Sequence, residues 1–291
     1  MRLLLLAIAC LSTLGAAMAQ EFKDEATFTV DASKYDRFHL YNRRGAVTVK
    51  AANGNTATLK VNRRLKAKTK ERLEEAKAQM YMDKMEKDGD IVFFIQHPKL
   101  KLKFGDDGFA WYSSEDENGW GWNSDDERIE AEYTITLEIP ANTDLTVTTH
   151  EHPLKVSGMQ GDLIARNHHG GVLVEGQGGS ADVHSHHKDI EIFYTKNPTR
   201  ECSYDTHHGD IRVHYPANLS ADATMYSYHG EFFTEFDWNV QPMTVSTESR
   251  EKGKGTKYMI SGKSGTNVRI GRGGPVQHFK SHHGDIYLLK N

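Results

Sequence analysis

"YDTHHGDIRVHYP", residues 204–216, is the stretch on which the fold turns. The hydroxyl residue Thr206 precedes two adjacent histidines, and Gly209-Asp210 marks a turn. Ile211, Val213 and Tyr215 then alternate with polar neighbours, as a half-buried strand requires. The frame recurs without gaps in "THEHPLKV" (149–156), "NHHGGVLV" (167–174), "SHHKDIEI" (185–192), "SYHGEFFT" (227–234) and "SHHGDIYL" (281–288). "NRRGAVTV" (42–49) fits it too, with arginines in both histidine places. The spacing is near-regular up to the copy that begins at Ser227, and a wider gap precedes the one that begins at Ser281.

Units this short cannot bury a core alone, so neighbours must stack. Parallel stacking sets equivalent residues about 4.8 Å apart. Ile190, Ile211, Phe232 and Ile286 are then expected in one buried column. The glycine is expected to supply a positive-φ corner, and the acid after it to cap turn amides. The fold class that follows is all-β: a single-chain, β-helix-like β-solenoid of stacked 18–21-residue repeats with one amphipathic helix insertion.

Outward from the repeats, residues 20–148 read as an N-terminal β region and 149–291 as the repeat array. Within the former, "KAKTKERLEEAKAQMYMDKMEK" (66–87) is rich in helix formers, with Leu73, Ala76, Met80 and Lys84 on one face. A helix covering part of a sheet accounts for it. "GDDGFAWYSSEDENGWGWNSDDE" (105–127) carries eight acids, three tryptophans and no basic residue, and reads as a loop. It suits calcium or sugar binding, or a plain hairpin excursion; no EF-hand spacing is present.

Residues 1–19 read as a signal peptide: Arg2, the apolar "LLLLAIACLSTLG", then "AMA" as a small-x-small cleavage pattern. Cleavage there removes Cys10 and leaves Cys202 alone, so no internal disulfide is expected. No later segment is long and apolar enough to span a bilayer. The expected location is the periplasm, or the extracellular space or cell surface. A formal charge of -4 gives no basic footprint for nucleic acid. The 37% hydrophobic content suits an elongated repeat fold with a thin apolar stripe.

The recurring "HHGDI"-type corner, "LEIPANTDLTVTT" (137–149) leading into the array, and a strand–helix–strand excursion before it carry a family resemblance. The chain resembles the adhesin-like domains of unknown function in bacterial envelope proteins, the toast-rack or head-domain adhesin repeats, over about Phe28 to Leu289. The resemblance implies the architecture of an envelope module and is nearly silent about activity; the chain is read as a binding module for a metal, glycan or protein partner, with no catalytic residues. This chain has histidine pairs where the family carries Ser, Thr or Asn.

Fourteen of the 16 histidines fall between His150 and His283. By strand parity the second place (His169, His187, His208, His229, His283) should point outward and the first (His150, His168, His186, His207, His282) inward. Neighbouring rungs would bring imidazoles together for Zn²⁺ or Cu²⁺, with His184 and His186 as a same-face pair. The candidate metal ligands are therefore His169, His187, His208, His229, His283, His184 and His186. The competing reading is a ladder of neutral rings spread by duplication. The functional alternative is a β-helical carbohydrate-active enzyme using the repeat-corner carboxylates Asp189, Asp210, Glu231 and Asp285. No nucleophile elbow, P-loop or His-Glu-x-x-His helix accompanies them.

Overall fold

The computed structural model describes residues 20–104, 110–114, 129–241, 247–251, 256–260 and 266–291. Residues 1–19, expected to be a signal peptide, lie outside the described residues, as does most of the expected acidic loop. The part of that loop that is described, Ala110–Ser114, is a strand paired antiparallel with Leu100–Phe104.

The chain is all-β, with two large mixed sheets of ten and eleven strands, neither closed on itself. Each repeat gives one strand to the eleven-stranded sheet, turns at the histidine pair, and gives the next strand to the other sheet. The first series runs in parallel register through Arg37–Tyr41, Asp144–Thr149, Leu163–Asn167, Ala181–Ser185 and Cys202–Thr206. The second runs through Val47–Ala52, Leu154–Ser157, Val172–Gln177, Ile190–Tyr194 and Ile211–Tyr215. Alternation fills the space between: Val147, Ala165, Val183 and Tyr204 on one side and Val156, Val174, Ile192 and Val213 on the other are all fully buried. They belong to one hydrophobic cluster reaching from Val30 to Leu288.

The last copy of the repeat does not stack at the end of the array. Val276–Ser281 lies between Cys202–Thr206 and Ala221–Ser227, parallel to both. Ile286–Lys290 lies between Ile211–Tyr215 and Phe232–Thr234. The column thus runs Ile190, Ile211, Ile286, Phe232 in space. The first three are fully buried, and Phe232 is partly buried at the sheet's edge.

The helix is shorter than the composition suggests. It spans Lys70–Gln79, with Thr69 accepting the Arg72 amide as its N-cap. Leu73, Ala76 and Met80 do form its buried face, against Leu65 and Ala67. Residues 66–67 instead finish the strand Thr56–Ala67. Met82–Lys87 is a strand paired with Asp90–Ile95, which takes Lys84 off the helix. Tertiary pairing here overrides helix propensity.

Candidate functional site

The corner that carries the histidines is built by the small polar residue before them. Thr149, Asn167, Ser185, Thr206 and Ser281 are buried. The Thr206 hydroxyl accepts from the Gly209 amide at 3.2 Å and donates to the Lys188 carbonyl of the preceding rung at 3.4 Å. Ser281 repeats this with Gly284 and Gly209, and Ser227 with Gly230 and Gly284. One hydroxyl therefore closes its own turn and ties it to its neighbour, which is why the place holds Ser, Thr or Asn.

The glycine expectation needs correction. Positive φ occurs at Gly45 (φ 111) and, in the next rung, at His152 (φ 73). Gly170, Gly209, Gly230 and Gly284 do not have it. At these four a Cβ would lie 1.9–2.2 Å from the backbone of the rung beneath, so close approach is what demands glycine.

Three carboxylates of the acid column accept amides of neighbouring rungs. Asp189 accepts the Asp210 amide, Asp210 accepts the Asp285 amide, and Asp285 accepts the Glu231 amide, at 2.8–2.9 Å. Each carboxylate caps the next rung.

Between the hydroxyl and the glycine, the main-chain pairing continues through the histidines. The amide of His169 donates to the carbonyl of His150, His187 to His168, His208 to His186, His283 to His207 and His229 to His282. Held at strand spacing, the rings stack in two columns. In the first, centroids are 4.7 Å apart for His150–His168, 4.6 Å for His168–His186, 4.9 Å for His186–His207 and 4.6 Å for His207–His282, with Tyr228 at the end. In the second they are 4.7 Å for His169–His187, 5.4 Å for His187–His208, 5.0 Å for His208–His283 and 4.9 Å for His283–His229. Within each pair the two rings meet edge-on or tilted, at 4.3–4.5 Å. Arg44 and Glu151 continue the second column as an ion pair at 3.3 Å.

The inward placement of the first column is overturned. His168 is exposed, and His150, His186, His207 and His282 are half-buried at the surface. Burial parity ends one residue earlier, at the hydroxyl, because the corner turns both ring columns outward. The first column therefore holds candidate ligands, His150, His168, His207 and His282, that strand parity missed, beside His186, which was expected. The buried polar residue ahead of each pair is the signal that marks where parity breaks.

Crowding depresses the basicity of these rings. Burial first, then the charges of neighbouring rings, pushes His168 down to about 4. The same causes lower His186, His187, His207, His282 and His283, and burial followed by His169 lowers His150.

Three groups of three histidines bring one ring nitrogen each within 4.8 Å of the others: His150, His168 and His169; His168, His186 and His187; and His207, His282 and His283. Each joins a first-column ring to both rings of the next rung. Of the expected ligands, His169, His186, His187 and His283 enter these groups, while His208 and His229 stay in the second column outside them. His184 lies on the strand Ala181–Ser185, its Nδ1 3.7 Å from the Asp205 carboxylate, and enters none of the groups. The Nδ1 atoms of His186, His207 and His282 are buried and accept no hydrogen bond. A buried lone pair without a donor suits a proton or a metal ion.

No family model and no curated protein matches the chain. Among solved structures it is similar to a "putative cell adhesion protein" from Clostridium sporogenes, at 11% identity and TM-score 0.42, over 93% of this chain and 100% of that one. It is also similar to a "putative lipid binding protein" from Parabacteroides distasonis, at 12% identity and TM-score 0.28, over 91% and 97%. A third is a "putative adhesin" from Bacteroides fragilis, at 8% identity and TM-score 0.21, over 92% and 97%. No described helix is long and apolar enough to cross a membrane.

Proposed function

We propose that the chain is an exported, adhesin-like binding module of the cell envelope. In this reading it is a rigid solenoid that does no catalysis and presents its paired histidine columns to Zn²⁺ or Cu²⁺. The observation that carries this is the unbroken double column from His150 to Tyr228 and His229, held at strand spacing by main-chain pairing. Imidazole suits both ions, and depressed basicity leaves His150, His168, His186, His187, His207, His282 and His283 neutral and ready to ligate at neutral pH. Of the carboxylates that a glycosidase would use, Asp189, Asp210 and Asp285 are engaged as amide caps. The N-terminal charged, apolar and small-residue run supports export.

Calorimetric titration of chelator-stripped chain with Zn²⁺ and with Cu²⁺ tests the metal reading. Saturable uptake is expected at pH 7.5. A chain that takes up neither ion at pH 7.5 refutes it. N-terminal sequencing of the exported product should find Gln20 first; retention of residues 1–19 overturns the export reading.

A further inference from the structure

The three histidine groups are not equivalent, and the difference lies in the topology. Two of them share His168, so one ion held there excludes a second from the adjoining group. The third, His207 with His282 and His283, stands apart. Between them lies the step from His186 and His187 to His207 and His208. There the ring separations open to 4.9 and 5.4 Å, the edge-on contact lengthens to 6.0 Å, and no three-histidine group forms among the described residues. This is also where the repeat lengthens, through the added turn between Tyr194 and Cys202.

The third group straddles the joint at which the last rung enters the array. His207 belongs to a rung laid down in sequence order. His282 and His283 arrive only after the chain has passed through the strands Ala221–Ser227 and Phe232–Thr234. That late rung supplies main-chain partners on both sides: the Ile211 amide donates to Asp285, and the Ile286 amide to Glu231. On its far side Tyr228 takes the first-column place, and no three-histidine group forms there among the described residues.

We propose that the chain binds two transition-metal ions, and that the one held by His207, His282 and His283 acts as a staple. It locks the C-terminal rung, residues 276–290, into the slot between its neighbours. This rests on the metal reading of the ridge and adds a specific role to one of its sites. A tetrahedral ion with bonds of about 2.0–2.1 Å needs ligand nitrogens roughly 3.3 Å apart. Nitrogens now up to 4.8 Å apart must close in, and one ring must rotate out of its stack, since parallel rings do not aim their lone pairs at one point. The buried Nδ1 atoms of His207 and His282, which accept no hydrogen bond, are available for this. Because two of the three ligands ride on the C-terminal rung, an ion that binds only the docked arrangement must stabilise docking.

Hydrogen exchange on the full chain, stripped of metal and then given Zn²⁺, tests the staple, with bound zinc counted by elemental analysis. Two zinc ions per chain are expected, with exchange across 276–290 slowed at least tenfold relative to the metal-free chain. The double variant His282→Asn with His283→Asn should bind one ion and lose that slowing, measured against its own metal-free form. His168→Asn should also bind one ion, and keep the slowing. Zinc binding that leaves exchange across 276–290 unchanged overturns the staple while the metal reading survives. Loss of the slowing in His168→Asn does the same. If the wild-type chain takes up neither Zn²⁺ nor, in a parallel titration, Cu²⁺, both readings fall together.

Discussion

The rungs at residues 149–215 and the rungs beyond them use one motif under two topologies. In the first region each rung after the one at 144–157 follows its neighbour in sequence, so contacts between them close short loops, as from Asp162 to Ser180 or from Asp189 to Asp210. In the second, the rung at 276–290 is inserted between rungs that the chain has already passed. On one side its contacts close a much longer loop, as from Asp210 to Asp285. Local stacking makes a rung an interchangeable unit, since each touches only its neighbours. Insertion makes a rung a keystone, because four flanking strands, two in each sheet, depend on it for main-chain hydrogen bonds.

The largest expected effect breaks this contrast directly. Excising 168–185 removes one repeat unit and joins Asn167 to His186, leaving the motif in frame. That chain should still melt cooperatively. Deleting 276–291 takes out a slightly shorter piece but exposes the facing edges of Cys202–Thr206 and Ala221–Ser227. It should abolish the cooperative melt of the C-terminal half and open residues 221–240 to limited proteolysis. Equal tolerance of the two deletions, followed by circular dichroism and proteolysis, would show that the inserted rung is no keystone.

The core columns sharpen the contrast at single residues. Ile211 is fully buried between Ile190 and Ile286, so Ile211→Ala should cost about 2–5 kcal/mol through an unfilled cavity. Phe232 sits at the edge of the sheet and is only partly buried, so Phe232→Ala should cost less. Denaturant melts compare the two, and a larger loss at Phe232 would contradict the column as described.

Much of this was legible from residue patterns, and the rest was hidden for identifiable reasons. Alternation in "IRVHY" and "IEIFY" foretold which residues face the interior, because strand parity is a local property. The order of rungs was not legible. The copy at 281–288 carries the same hydroxyl, histidines and aliphatics as the others, and identical rungs fit beside any neighbour. The outward turn of His150, His168, His186, His207 and His282 was hidden because a corner breaks parity without leaving a periodic trace. Gly209 was correctly expected at the corner for the wrong reason, since only the stacked rung beneath reveals the close approach. Met82 and Met85 look helical until their pairing with Ile95 and Val92 is known.

The corner hydroxyls should show a smaller effect that still separates the two regions. Ser281 accepts the Gly284 amide at 2.8 Å, whereas Ser185 accepts the Lys188 amide at 3.4 Å. Replacing either by alanine leaves a turn amide without its partner, at about 1–3 kcal/mol. Ser281→Ala should be the worse of the two, because its bond is shorter and it secures the inserted rung. Urea melts of both variants decide this, and a costlier Ser185→Ala would contradict it.

The smallest effect is acid-dependent and should fall unevenly along the ladder. Folded-state basicity is depressed at His150, His168, His186, His187, His207, His282 and His283, by burial and then mainly by neighbouring charge. The unfolded chain therefore binds more protons as pH falls below the ordinary histidine value of about 6.5. Stability is fully present above that value and declines as pH drops towards the folded values, the lowest of which is about 4, at His168. Between pH 7.5 and 5.0 the melting temperature should fall by roughly 5 °C, on the scale of 2–4 °C per kcal/mol for chains of comparable size. Replacing His187 and His208 by asparagine removes one ring from each side of the loosened step and should shrink that fall. In an NMR titration His168, stacked at 4.7 and 4.6 Å between His150 and His186, should protonate below His207, whose neighbours stand at 4.9 and 4.6 Å. A melting temperature unchanged over this range, or His168 protonating near 6.5, would mean that the stacked rings do not repel, and that ring spacing does not distinguish the two regions.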